Sequence, residues 1–110
     1  VTIQASPTLT PETTTDMAAR AAEAAAYLKT LAHEGRLMIL CHLGTGEKSV
    51  TELENLLEIR QAAVSQMLAR LRDEGLVTTR RDGKTIYYSL LDRNTEQVIG
   101  LLYRLFCEER

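Results

Sequence analysis

Two thiols and a group of amide, hydroxyl and cationic side chains are the residues of this chain best equipped for chemistry. Cys41 interrupts the apolar run LMILCHL, and Cys107 stands in RLFCEER, 66 positions further on. A thiolate attacks sulfur or binds a soft metal, whereas a protonated thiol among leucines behaves as a small hydrophobe. The two cysteines form no CxxC and no zinc-ribbon spacing, and a thiol pair in a reducing compartment is not ordinarily a structural staple. From the residues alone, core filling, half of a disulfide, metal ligation and chemical sensing all stay open.

The second set lies in RQAAVSQMLARLRDEG. Here Val64, Leu68 and Leu71 recur at helical spacing, which turns Gln61, Ala62, Ser65, Gln66 and Arg70 outward. Glutamine pairs bidentately with adenine and serine accepts several partners, so Gln61, Ser65 and Gln66 are candidates for reading base edges. Arg81 and Lys84 flank an Asp82-Gly83 turn and would lie against phosphate, positioning the protein rather than specifying sequence. The overall charge of −2 argues against a nucleic-acid partner, but its distribution argues for one. Between Arg60 and Lys84 there are six basic and three acidic residues, leaving seven basic and twelve acidic elsewhere. That is a basic block on an acidic body.

These residues need elements to hold them. Alanine-rich MAARAAEAAAYLKTL predicts a helix from Met17 to Leu31, with Met17, Ala21, Ala24, Leu28 and Leu31 on one face. A second helix follows from Glu34 to Leu43, stopped by GTG, with Leu37, Leu40 and Cys41 on its buried stripe. Ser49 and Glu52 form a capping-box pattern that opens a short third helix, and a tight turn leads into the Gln61 helix, ended by Gly75. Two short helices joined this way describe a helix-turn-helix. LVTTRRDGKTIYYSL then reads as two strands joined at Asp82-Gly83 in a type I′ hairpin, the wing of a winged helix.

The final segment, Arg93 to Glu109, carries Val98, Ile99, Leu101, Leu102, Tyr103, Leu105 and Phe106 over more than half of a helix circumference. Such a helix is buried on several sides, which predicts a homodimer through the first and last helices. The fold class is therefore mainly α with a small β-hairpin wing. Residues 1–15 hold six threonines, one serine and both prolines with little to bury, and are expected to be a disordered arm ahead of one domain over residues 16–110. The uncharged stretch Leu37 to Gly46 spans ten residues, too few for a membrane helix, and no secretory signal pattern is present, so a cytoplasmic location is expected.

Over residues 27 to 90 the chain resembles the ArsR family of small dimeric winged-helix repressors, most specifically in QAAVSQMLARLRDEGLV and RDGKTIYYSL. Met67 and Arg60 stand where that family often has His and Ser. The resemblance implies a homodimer that binds double-stranded operator DNA and leaves it when an inducer arrives. Metal-sensing members commonly carry a Leu-Cys-Val-Cys box where this chain has Lys48-Ser49-Val50-Thr51. A second family metal site corresponds to Asp92, Asn94, Leu105 and Glu108, with both imidazoles gone, so no metal site and no cofactor are expected. Cys41 and Cys107 together resemble the persulfide-responsive branch, the SqrR and BigR type. That resemblance implies sulfane sulfur donors as inducer, a polysulfide bridge between the two thiols, and sulfide-oxidation genes as targets. A general thiol redox sensor and a metal- or haem-responsive repressor are the alternatives, and no residue pattern supports an enzyme.

Overall fold

The computed structural model describes residues 8–108. Residues 1–7, part of the expected disordered arm, Glu109, the last residue of the final expected helix, and Arg110 lie outside that range.

Helix α1 (Pro11–Leu31) begins six residues before Met17, so residues 11–15 are helical rather than part of an arm. Thr10 is the reason. Its hydroxyl accepts from the Thr13 N–H at 3.1 Å while the Thr13 hydroxyl accepts from the Thr10 N–H at 2.7 Å. This reciprocal cap satisfies two orphan donors, and Pro11 follows at a position where its missing N–H costs nothing. Helix α2 (Glu34–Leu43) is capped by His33, whose Nδ1 accepts from the Arg36 N–H at 3.3 Å. The expected stop at GTG is present, with Gly46 at φ +136°.

The strand β1 (Lys48–Ser49) leads into α3 (Val50–Leu57), where Ser49 and Glu52 make the predicted capping box at 3.1 and 2.8 Å. Glu58, in the left-handed region at φ 56° and ψ 42°, closes α3 and starts the turn through Ile59 and Arg60 into α4 (Gln61–Asp73). Strands β2 (Val77–Asp82) and β3 (Thr85–Leu90) form the wing, and β1 pairs with β3 to give a three-stranded antiparallel sheet in the order β1-β3-β2. Asp82 pairs with Thr85, which makes Gly83 and Lys84 the central turn residues. Only Gly83 has positive φ, at +65°, whereas a type I′ turn needs both, so the expected I′ geometry is corrected to the II′ pattern.

Helix α5 (Arg93–Tyr103) starts at Asp92, whose carboxylate accepts from the Asn94 N–H at 3.0 Å. It then widens into a π-helical turn, Arg104–Glu108, that carries Cys107. The core sits where α2, α3 and α4 meet: Ile39, Leu40, Leu53, Val64, Leu68 and Leu71 are wholly buried. Leu76 and Val77 from the base of the wing and Leu31 from α1 close it. The Tyr27 hydroxyl donates to buried Thr95 at 3.1 Å, tying α1 to α5. Among the described residues no helix is long and apolar enough to cross a membrane.

Candidate functional site

The inward stripe of α4 is as expected, with Val64, Leu68 and Leu71 each at 0% exposure, and it fixes which residues the helix offers outward. Gln61, Ala62, Ser65, Gln66 and Arg70 are all exposed along the opposite arc. Arg81 and Lys84 are exposed at the tip of the wing. The structure therefore presents all six candidates, Gln61, Ser65, Gln66, Arg70, Arg81 and Lys84, to solvent on a helix-turn-helix and its wing. None of the three cations among them forms an ion pair among the described residues. An exposed helix face with amide side chains has the chemistry to read base edges, and the flanking cations have the charge to meet phosphate.

Arg80, counted within the basic block, is engaged elsewhere. Its guanidinium grips Glu47 bidentately, through Nε at 3.1 Å and a shorter contact from the other nitrogen, and lies 4.8 Å over the Tyr87 ring. The ion pair holds the Glu47 carboxyl below its usual range and raises Arg80. Since Glu47 lies outside the block, one of its six positive charges is neutralised by the loop that leaves α2. Nothing in the sequence spacing signalled this clamp, because the partners are 33 residues apart.

Cys41 is half-buried rather than on the fully buried stripe of α2, which consists of Ile39, Leu40 and Leu43. Leu37 and Cys41 lie at the margin of that stripe because this side of α2 faces α5 across a cavity of ≈ 600 Å³ instead of the core. Cys107 is exposed and lines the same cavity, so two thiols far apart in sequence share one space. Both are free. Burial pushes the Cys41 thiol up, and the neighbouring Cys107 adds to the rise, since two thiolates side by side repel.

Helix α5 divides its apolar surface between two sides. Ile99, Tyr103, Phe106 and Cys107 line the cavity with α2, and Val98 turns toward α1. Leu101 and Leu105 are 37% and 53% exposed. Part of the apolar surface read from the sequence is thus covered within the chain, and part is left exposed. The cavity wall also includes Met38 and Glu96, neither of which was singled out in the sequence. Spacing of 3, 4 and 7 among residues 96, 99, 100, 103 and 107 is the signal that finds this face.

Two of the positions that the resemblance aligns with metal ligands have other tasks here: Ser49 caps α3 and Asp92 caps α5. Among the described residues no three His, Cys, Asp or Glu side chains gather as a metal site. His33 caps α2, and neither histidine lines the thiol cavity.

Comparison with known proteins agrees with this geometry. Residues 33–79 match the family described as "Bacterial regulatory protein, arsR family". The chain is 50% identical over 91 residues to the biofilm growth-associated repressor of Agrobacterium fabrum, covering 83% of this chain and 78% of that one. It is 45% identical over 93 residues to the transcriptional activator HlyU of Vibrio cholerae, covering 84% and 86% of the two. Among solved structures, the transcriptional repressor BigR from Xylella fastidiosa superposes with a TM-score of 0.81 at 46% identity, covering 90% of this chain and 98% of that one.

Proposed function

This chain belongs to the bacterial arsR family of regulatory proteins, DNA-binding transcription regulators and not enzymes, and we propose that it is a cytoplasmic, homodimeric repressor that senses sulfane sulfur through Cys41 and Cys107. The observation that carries the sensing half is that both thiols line one cavity between α2 and α5. In the reduced state the dimer holds double-stranded operator DNA, with Gln61, Ser65 and Gln66 at base edges and Arg70, Arg81 and Lys84 on phosphate. A persulfide or polysulfide modifies one thiol, and the other closes a sulfur bridge across the cavity. The resemblance of the two cysteines to the SqrR and BigR type implies this behaviour, and the similarity to the transcriptional repressor BigR supports the repressor half of the reading. Sulfide-oxidation genes are the corresponding targets.

The dimer rests on surface that one protomer leaves bare. Met17 and Leu28 on α1 are 53% and 60% exposed, Leu101 on α5 and Leu105 in the turn after it are 37% and 53% exposed, and Leu28 lines a groove with Ala24, Tyr27 and Val98. Large apolar side chains left exposed on the first and last helices favour an interface there. A two-fold arrangement would set two reading helices about 34 Å apart, the spacing of successive major grooves.

Bridging must weaken DNA binding to act as induction. Helix α2 carries Cys41 in its last turns and packs against α4 in the core, so a bridge to the last helix pulls on the element that seats the reading helix. A plain disulfide needs Cβ atoms roughly 3.5–4.5 Å apart, a condition that interposed sulfur atoms relax. Polysulfide is therefore expected to close the pair more readily than peroxide. The test is titration of genomic DNA fragments with the reduced protein before and after sodium tetrasulfide or peroxide, with intact mass measured in parallel. Loss of DNA binding with sulfur inserted between Cys41 and Cys107 supports the reading. Equal loss with peroxide and only two hydrogens removed makes it a general thiol redox switch, and no effect from either removes the cysteines from regulation.

A further inference from the structure

We propose that the cavity between α2 and α5 selects an uncharged, lipophilic carrier of sulfane sulfur and discriminates against carriers that bear carboxylates. This deepens the sensing function above and rests on it. The wall is built from Leu37, Met38, Ile99, Tyr103 and Phe106. Its one charged residue is Glu96, and no Lys, Arg or His is among the described residues that line it. The cavity is open on one side, with Tyr103 and Phe106 59% and 60% exposed, and its ≈ 600 Å³ lies in the size range of sites that hold a whole small molecule rather than a reactive tip alone.

Charge decides which carriers enter. An apolar carrier gains by leaving water for this wall. A carboxylate brought against the same wall loses hydration without meeting a cation, and Glu96 adds like-charge repulsion. A peptide thiol carrier with two carboxylates therefore meets a barrier that an alkyl or allyl carrier does not. Cys107, exposed at the cavity, is open to either, but only a carrier seated inside brings its sulfur chain toward half-buried Cys41.

With a symmetrical organic trisulfide as donor the chemistry closes without a further oxidant. The Cys107 thiolate attacks the central sulfur, one terminal S–S bond breaks, and one thiolate departs, leaving the central sulfur and the second organic thio group on Cys107. The Cys41 thiolate then attacks that same central sulfur and expels the second thiolate. The two protons lost by the cysteines end on the two released thiols. The protein dithiol is oxidised by two electrons, the trisulfide is reduced to two thiols, and the chain gains one sulfur and loses two hydrogens.

Two trisulfides with the same sulfur chain and different ends isolate the effect. The reduced full chain is reacted with diallyl trisulfide and, separately, with glutathione trisulfide, and bridge formation is followed by intact mass. Each rate is divided by the rate of the same reagent with N-acetylcysteine amide at the same pH, which removes intrinsic reactivity. The normalised preference for the diallyl reagent is expected to be about tenfold or more, the factor matching the lower range for burying a polar group without a partner. Met38→Lys, at a 41% exposed helix position on the wall, supplies a cation and is expected to narrow that preference by about threefold by speeding the glutathione reagent. A normalised preference within about twofold of unity overturns the inference while the thiol sensor stands. A Met38→Lys protein with unchanged preference also overturns it. If neither reagent inserts a bridging sulfur although iodoacetamide labels both cysteines, the sensor reading falls with it.

Discussion

Gly35 stands in the first turn of α2 with almost no room beside it. A β-carbon built there would meet Met67 Sδ at 2.5 Å, Met67 Cε at 3.1 Å and His33 Cε1 at 3.2 Å. Gly35→Ala therefore sets two terms against each other. Alanine favours the helix over glycine by up to about 1 kcal/mol, less in a first turn than in an interior. Overpacking costs about 1–3 kcal/mol, toward the lower end here because the Met67 side chain is flexible and only half-buried. The two nearly offset one another, and the expected net effect is a loss of no more than about 0.5 kcal/mol. Removing the obstruction reverses the sign of the local contribution: in Gly35→Ala combined with Met67→Ala the new methyl group has space and the helix-propensity gain returns. The double variant should be more stable than the sum of the single changes by about 1–2 kcal/mol. Urea unfolding of the four proteins at one fixed protomer concentration measures the cycle, the fixed concentration being needed because dimerisation shifts apparent stability. Gly35→Ala proving more stable than the parent by the full helix-propensity gain of about 1 kcal/mol, or additivity to within about 0.5 kcal/mol, would refute the close approach between α2 and the reading helix.

Other outcomes follow from single residues. Glu58 holds left-handed backbone in the turn between α3 and α4, so Glu58→Gly should stabilise the fold by roughly 0.5 kcal/mol, what remains of a left-handed penalty of about 1–2 kcal/mol after glycine's entropy cost in the unfolded chain; thermal unfolding of the variant checks it. In Cys107→Ser, alkylation of Cys41 by iodoacetamide should reach half its limiting rate at a pH above the ordinary cysteine value of 9.0, because burial disfavours the thiolate and its reactivity therefore appears only at higher pH; the Cys107→Ser change also removes the smaller contribution from that neighbour. Arg81→Ala and Lys84→Ala should each weaken DNA binding on all sequences and lower the salt slope by about 1, whereas Gln66→Ala should relax preference at one base position by about 1–3 kcal/mol; competition binding at several salt concentrations distinguishes the two classes.

Most of the framework was legible because local rules and global fold agree. The Ser49 and Glu52 cap, the Val64, Leu68 and Leu71 stripe and the wing all follow from spacing that one element decides by itself. The early start of α1 was not read, because a threonine-rich segment looks like solvent-exposed coil until the cap between Thr10 and Thr13 is seen. Turn geometry was missed by one residue, since hairpin register depends on which strand positions pair, here Asp82 with Thr85. The cysteines illustrate the deeper limit. Periodicity predicts Cys41 on the buried stripe of α2, but it is half-buried at the margin of that stripe, because this side of the helix looks across a cavity rather than into the core. Likewise the Arg80 grip on Glu47 is a tertiary fact that a count of charges along the chain misassigns to the DNA face.

The π-helical turn at the end of α5 has a consequence for where the Cys107 thiol points. Helices of that winding are rare and short, and here the widened turn supplies the last stretch before Cys107. At unchanged length, a return to ordinary winding would advance each residue by the roughly 100° of an α-helix and turn the sulfur by several tens of degrees around the axis, away from its present direction into the cavity it shares with Cys41. The alignment of the two thiols therefore depends on how the last turn winds as well as on which residues fill it.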